Sequence, residues 1–328
     1  MKVAIAGCGT MGSIYAERLA EMNDVHLVSM FDRKWETARN VGDRYGATPY
    51  DSYDRMLEAE DIDVVCVTMP TFLHKEYVLK AAARKKHIIC EKPLALDPAD
   101  ALEMLTVCRA AGSRLFVGHV VRFFPEYQNF RQAVLGGQLG SVGMIRTMRA
   151  GHHPGEAKSW YADGSKSGGI FLDLMIHDID FLRWTLGEID SVYALRGKTE
   201  SADYALAVLS FCNGAIANVE AVWGYPGQFT TYVEGIGALG VLTIDNRQQQ
   251  LIEPKTSILL EGAEKEVVVP HDPGTRDAYY EQLRHFLSCI QSGEESIITA
   301  ADACKAVEIA RATVQSALTG ERVILNNC

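Results

Sequence analysis

No stretch of the 328-residue chain approaches the roughly 18 consecutive apolar residues of a membrane span. The first apolar run, MKVAIAG, is interrupted by glycines and then by Glu17 and Arg18 before a signal-peptide core could form. Basic residues are in deficit. Thirty-two Lys and Arg stand against 42 Asp and Glu, a net charge of −10, so no overall positive field exists to recruit nucleic acid or an anionic membrane. Eight cysteines (Cys8, Cys66, Cys90, Cys108, Cys212, Cys289, Cys304, Cys328) show neither a CxxC pair nor a zinc-ligand spacing, so no metal is signalled. Cys66 in DVVCVTM and Cys90 in HIIC lie in apolar runs, where a free buried thiol is the default. These features predict a cytoplasmic protein. Repeats, low-complexity tracts and Pro/Ser-rich linkers are also missing, which excludes solenoids and tethered modules.

What the chain has is core. It is 48% hydrophobic and 23% charged, and its length corresponds to about two domains. Up to about residue 120, the runs KVAIAG, VHLVSMFD, VVCVTM, HIICEK and RLFVGHV read as buried parallel strands. They alternate with the helical stretches MGSIYAERLAEM, KWETARNVGDRYG, TFLHKEYVLKAAARKK and DPADALEMLTVCRAAG. In the last of these, Asp97 and Pro98 make an N-terminal cap and Gly112 a stop. Repeated β-α-β implies an α/β fold with a doubly wound parallel sheet. Past Arg122 one helical segment, HDIDFLRWTLG, precedes the strand-like runs SVYALRG, YALAVLSF, AIANVEAVWG, FTTYVEGIG, GVLTID, SILLEG and KEVVVP; two helices close the chain. This half reads as α+β with a large, open, mostly antiparallel sheet. The expected domains are 1–120 and 121–328, with the C-terminal helix free to pack back on the first.

Gly7, Gly9 and Gly12 form G-x-G-x-x-G between the first strand and the first helix. Gly7 permits the tight turn, Gly9 lets the backbone approach a pyrophosphate, and Gly12 allows close helix–strand packing. The helix N-terminus, opening at Thr10 and Met11, adds free N–H groups and partial positive charge. Asp32 ends the second strand about 20 residues on, where an acid binds ribose hydroxyls. The pattern points to a Rossmann dinucleotide-binding domain. Asp32 favours NAD, because its carboxylate repels a 2′-phosphate, while Arg33 and Lys34 leave NADP possible.

Glu91-Lys92-Pro93 sits at the C-terminal end of its strand, facing the ligand crevice of such a sheet. Pro93 forces Lys92 into extended backbone, which aims its ammonium. With GCGTMG, MPTFLH (Met69 to His74), EKP and SGGIFLDLMIHDID (Ser167 to Asp180) in this order, the chain resembles the Gfo/Idh/MocA oxidoreductase family over its full length. That family is named for glucose-fructose oxidoreductase, inositol dehydrogenase and a rhizopine-catabolism protein. The resemblance implies NAD(P)-dependent hydride transfer at one carbon of a sugar or cyclitol, and homodimers or homotetramers. It assigns catalysis to Lys92, Asp173 and His177. His177 would be the general base, Lys92 the stabiliser of the developing alkoxide, and Asp173 an acceptor for a substrate hydroxyl. Asp173 and His177 are four apart, one face of a helix.

By the same resemblance Thr71, His74 and Glu91 fall where the family lines the nicotinamide pocket, and His119 and Arg122 where it approaches substrate. His74 could equally cap the following helix. Trp160 and Tyr161 suggest a ring for stacking on a sugar, with core packing as the alternative. Of Tyr279 and Tyr280, one is expected to reach the site and the other to pack. Two other functions fit the same fold: a glycoside-cleaving enzyme that oxidises transiently, eliminates and regenerates NAD, and a non-catalytic nucleotide sensor. A sensor has no need of a proton-transfer set.

Overall fold

The computed structural model describes residues 1–59, 61–247, 277–325 and 328. The strands expected at 257–262 and 265–270 lie outside the described residues. These fall into two compact units, those within Met1–Phe123 and Asp272–Val307 and those within Phe124–His271 and Glu308–Cys328. Among them no helix is long and apolar enough to cross a membrane.

The first unit runs β1 (Lys2–Ala6), α1 (Thr10–Ala20), β2 (His26–Phe31), α2 (Trp35–Tyr45), β3 (Thr48–Tyr50), α3 (Tyr53–Ala59), β4 (Val64–Val67), α4 (His74–Ala83), β5 (His87–Cys90), α5 (Pro98–Ala111) and β6 (Leu115–Val117). Its strands are all parallel, in the order β3-β2-β1-β4-β5-β6. That is the Rossmann order, with a switch point between β1 and β4. All four residues of β4 and the last four of β1 are buried, which is why these strands are continuously apolar. The ends of α5 follow the sequence signals: Asp97 accepts from the Ala99 N–H at 2.9 Å, Pro98 opens the helix, and Gly112 closes it in the left-handed region. β3 and α3 escaped the sequence reading. The strand TPY carries a proline tolerable only at an edge, and α3 has seven residues, too few to show a period.

The second unit contains α6 (Pro125–Leu135), β7 (Val142–Gly151), the single turn α7 (Gly164–Ser167), a π-helical turn at Phe171–Met175, α8 (Ile176–Leu186), β8 (Ile189–Lys198), β9 (Asp203–Phe211), β10 (Ile216–Trp223), β11 (Thr230–Gly237) and β12 (Gly240–Asp245). After α9 (Ala278–Ser292), which belongs to the first unit, α10 (Ala300–Thr319) leads to β13 (Val323–Ile324). The seven-stranded sheet has the order β12-β11-β7-β10-β9-β8-β13, and only β7 and β10 pair in parallel. Its inner face is built from small residues, among them Ala194, Ala205, Ala207, Ala217 and Ala221, all buried. Their size lets the π turn and α8 lie close against β10.

The sequence reading missed α6 and β7. In β7 the arginines at 146 and 149 disguise the strand. Arg149 nevertheless faces inward, 4% exposed in its side chain, because Asp178 on α8 compensates it. Arg149 Nε donates to Asp178 Oδ2 at 2.9 Å and Nη2 to Oδ1 at 3.1 Å, while Nη2 also reaches the Tyr127 hydroxyl at 3.2 Å. Free thiols were expected throughout. Cys8, Cys66, Cys90, Cys108 and Cys289 are buried thiols, but Cys212, in the β9–β10 turn, forms a disulfide with Cys328. Sequence spacing cannot reveal a pair 116 residues apart.

Among the described residues most ion pairs are exposed and contribute little, about 0–1 kcal/mol each. The buried Arg149–Asp178 pair differs, since losing one partner strands a charge. Arg149→Met is expected to lower unfolding stability by about 3–5 kcal/mol in urea titrations, against under about 1 kcal/mol for Arg55→Met at an exposed pair.

Candidate active site

The glycine loop is shaped by what it cannot hold. Gly7 has φ +102°, and a Cβ there would lie 2.8 Å from the backbone of Thr68 and Met69. A Cβ on Gly12 would stand 1.9 Å from the Gly7 carbonyl oxygen, inside any tolerable contact. Gly9 caps α1 without a side-chain hydrogen bond, and the first turn carries no acid. The N–H groups at Thr10 and Met11 lie at the positive end of the helix dipole, the environment a pyrophosphate needs.

Asp32 closes this cradle. Its Oδ2 accepts from the Cys8 N–H at 2.9 Å and its Oδ1 from the Lys34 N–H at 2.8 Å. The carboxylate is thus fixed against the loop after β1, with lone pairs left for ribose hydroxyls. Burial and the nearby Asp32 push the Cys8 thiol up to about 12, so the cysteine inside the motif is not a nucleophile. Arg33 and Lys34 are exposed beside it.

Two further loops leave the same carboxyl edge of the sheet. After β4, Thr71 is buried in a 3-10 turn, and His74 begins α4 with 1% exposure. His74 is sequestered: Nδ1 lies 2.9 Å from the Pro93 carbonyl oxygen and Nε2 2.8 Å from that of Met69. It lies between the loop after β4 and the loop after β5, with a carbonyl of each facing its ring. Burial pushes its imidazole below the ordinary value, so near pH 7 it has one N–H to give. After β5, Glu91 is buried and Lys92 half-buried, and the Lys92–Pro93 peptide is cis.

Other candidates are dispersed. His119, just beyond β6, is fully buried. Arg122 is 1% exposed and donates to the Ile297 carbonyl at 2.7 Å, with Asp302 at 3.4 Å; it holds together the interior of the first unit. Tyr279 is buried in the first turn of α9 and Tyr280 half-buried beside it.

In the second unit Asp173 lies in the π turn, 9% exposed, and His177 in the first turn of α8, half-buried between the buried Ile176 and Asp178. The segment is helical as expected, but widened to i→i+5 bonding at Asp173, a distortion common at functional sites. Trp160 and Tyr161 stack on each other at 3.8 Å, both half-buried. His153 accepts from the Gly155 N–H at 2.9 Å and lies 5.0 Å from the Trp223 ring.

Sequence reasoning did not find Tyr15, Gln282 or Arg149, whose partners are 76, 267 and 29 residues away. Tyr15 alone left a trace, as an aromatic on the buried face of α1 one turn after Gly12.

Comparison with known proteins decides the family. Residues 1–119 match the description "Oxidoreductase family, NAD-binding Rossmann fold", and residues 131–325 its companion, "Oxidoreductase family, C-terminal alpha/beta domain". The chain belongs to the Gfo/Idh/MocA oxidoreductase family. It is 29% identical over 340 residues to myo-inositol 2-dehydrogenase of Thermotoga maritima, covering 96% of each chain. It is also 29% identical over 343 residues to the NAD-dependent scyllo-inositol 2-dehydrogenase of Bacillus subtilis, covering 99% of this chain and 96% of that one. Among solved structures, GenD2 from gentamicin A biosynthesis in complex with NAD superposes with a TM-score of 0.89 at 26% identity, over 99% of this chain and 96% of the other. The first unit of this Gfo/Idh/MocA protein is accordingly an NAD-binding Rossmann domain.

Asp32→Ala removes acceptors from the loop as well as from ribose. It is expected to raise the KM for NAD roughly 10- to 100-fold, as for hydrogen bonds to a charged group at about 1.5–3 kcal/mol, and to narrow the NAD/NADP ratio in steady-state assays. An unchanged ratio would assign discrimination to Arg33 or another residue.

Proposed function

We propose that this protein oxidises or reduces a hydroxyl-bearing carbon of a cyclitol, sugar or sugar derivative with NAD, NADP being the secondary cofactor. The observation that carries the proposal is the glycine cradle with Asp32 on the same carboxyl edge from which Glu91-Lys92-Pro93 emerges. Similarity along nearly the whole chain to proteins named as inositol 2-dehydrogenases supports the substrate class. When bound, the nicotinamide accepts the hydride from the hydroxyl-bearing carbon. His177 takes the hydroxyl proton on a ring nitrogen, the general-base role for which imidazole is the commonest side chain. Lys92, as ammonium, donates to the reacting oxygen and stabilises its developing negative charge. Asp173 accepts from a substrate hydroxyl and orients the ring. The buried thiols fit a cytoplasmic enzyme, with Cys212–Cys328 the exception.

Lys92→Ala is expected to lower kcat roughly 100-fold or more, the effect of deleting one charge-stabilising donor. NADH or NADPH formation with a panel of inositols, hexoses, uronates and nucleotide sugars tests the function itself. Release of an aglycone with no net NADH would replace it by the glycoside-cleaving alternative.

The outer face of the seven-stranded sheet is taken to pair with a second copy of the chain, giving a homodimer or homotetramer. Tyr193, Leu195, Tyr204, Leu206 and Ile216 are all exposed on that face, with Leu195 directly opposite Leu206. An apolar patch of this kind over β8, β9 and the start of β10 suits a self-complementary contact. Leu206→Lys is expected to shift the mass measured by light scattering towards one chain; an unchanged mass would place the contact elsewhere.

A further inference from the structure

Glu91 is a carboxylate 6% exposed, in the segment that presents Lys92, and the structure gives it a dedicated partner. The Tyr15 hydroxyl donates to Glu91 Oε1 at 2.6 Å, the length of a charge-assisted bond. Gln282 Nε2 on α9 donates in turn to the Tyr15 hydroxyl at 3.0 Å. Because Tyr15 has a single proton and gives it to the carboxylate, only the amide nitrogen of Gln282 can face it. The other carboxylate oxygen, Glu91 Oε2, receives the Lys92 backbone N–H at 3.2 Å. Tyr15 and Gln282 are fully buried, and burial with Glu91 pushes the phenol well above its ordinary value, so it remains a donor at any working pH. Gly118 borders the junction. A Cβ there would lie 3.0 Å from both Glu91 Oε1 and the Tyr15 hydroxyl.

We propose that Tyr15, seated by Gln282, is a positioning residue for Lys92, acting through the Glu91 carboxylate. A carboxylate free to rotate at this point would release the Lys92 N–H and let the backbone at Lys92 turn. The chain Gln282–Tyr15–Glu91 prevents that rotation from two helices, α1 and α9. One of these, α1, is the helix whose N-terminus forms the cofactor cradle, so loading the cradle and aiming Lys92 depend on one element. The inference rests on the reading of Lys92 as the group that stabilises the reacting oxygen.

The test uses the full-length protein, Tyr15→Phe, Gly118→Ala and Lys92→Ala. Turnover is measured with the polyol giving the highest rate in the panel, NADH affinity by fluorescence titration, and the Lys92 environment by NMR of the 13C-dimethylated amine. Tyr15→Phe keeps the ring and is expected to unfold cooperatively. It should lower kcat about tenfold with NADH affinity within about twofold, shift the Lys92 resonance, and add no further loss in the Lys92→Ala background. Gly118→Ala, which wedges the same junction without deleting a group, should move the same resonance and kcat in the same direction. A Lys92 resonance unmoved in both variants overturns the positioning role, whatever the turnover. Full activity of Lys92→Ala overturns the catalytic reading instead, and the resonance still judges the network.

Discussion

Everything in the first unit follows from how closely two pieces of backbone approach each other at the start of α1. The helix begins so near the end of β1 that a methyl group on Gly12 would occupy the space of the Gly7 carbonyl oxygen. That proximity brings the helix N-terminus, with the positive end of its dipole, to the edge of the sheet. It also sets the reach of Asp32, which accepts from the Cys8 N–H and so anchors the loop from the neighbouring strand. The loops after β4 and β5 are then joined by His74, whose ring touches one carbonyl of each.

The second unit solves a different problem, that of holding a helix bearing polar side chains against a sheet. Alanines on the inner face allow close approach, and the Arg149–Asp178 pair fixes the helix in rotation with directed hydrogen bonds. The π turn before α8 adds width where Asp173 must be buried beside apolar neighbours. His177 follows in the next turn with partial access to solvent.

Much of this architecture was legible in the sequence because its causes are local. Continuous apolar runs reported strands buried on both faces, the glycine spacing reported the cradle, and Asp97, Pro98 and Gly112 reported the ends of α5. The misses have physical reasons too. β7 was hidden because Arg149 is compensated by Asp178, 29 residues on, so a charged residue stands where an apolar one is expected. Gln282 carries no pattern and Tyr15 only its place on the buried face of α1, since their meaning lies in a contact spanning 267 residues. Arg122, which the resemblance places near substrate, has a backbone carbonyl and a carboxylate of its own unit as partners, contacts that no local pattern announces.

The disulfide at Cys212 and Cys328 affects more than the tail. It closes a covalent ring of over a hundred residues, and in the chain-entropy view a loop of about 100 residues raises the free energy of the unfolded chain by about 4.7 kcal/mol. Locally it keeps the short strand β13 laid along β8, where an unpaired strand would offer a row of N–H and C=O groups to any extended peptide. The end of the chain thus works as a selvedge for the sheet. On the β8 side that cover spans Ser191 and Val192, the residues paired with Ile324 and Val323.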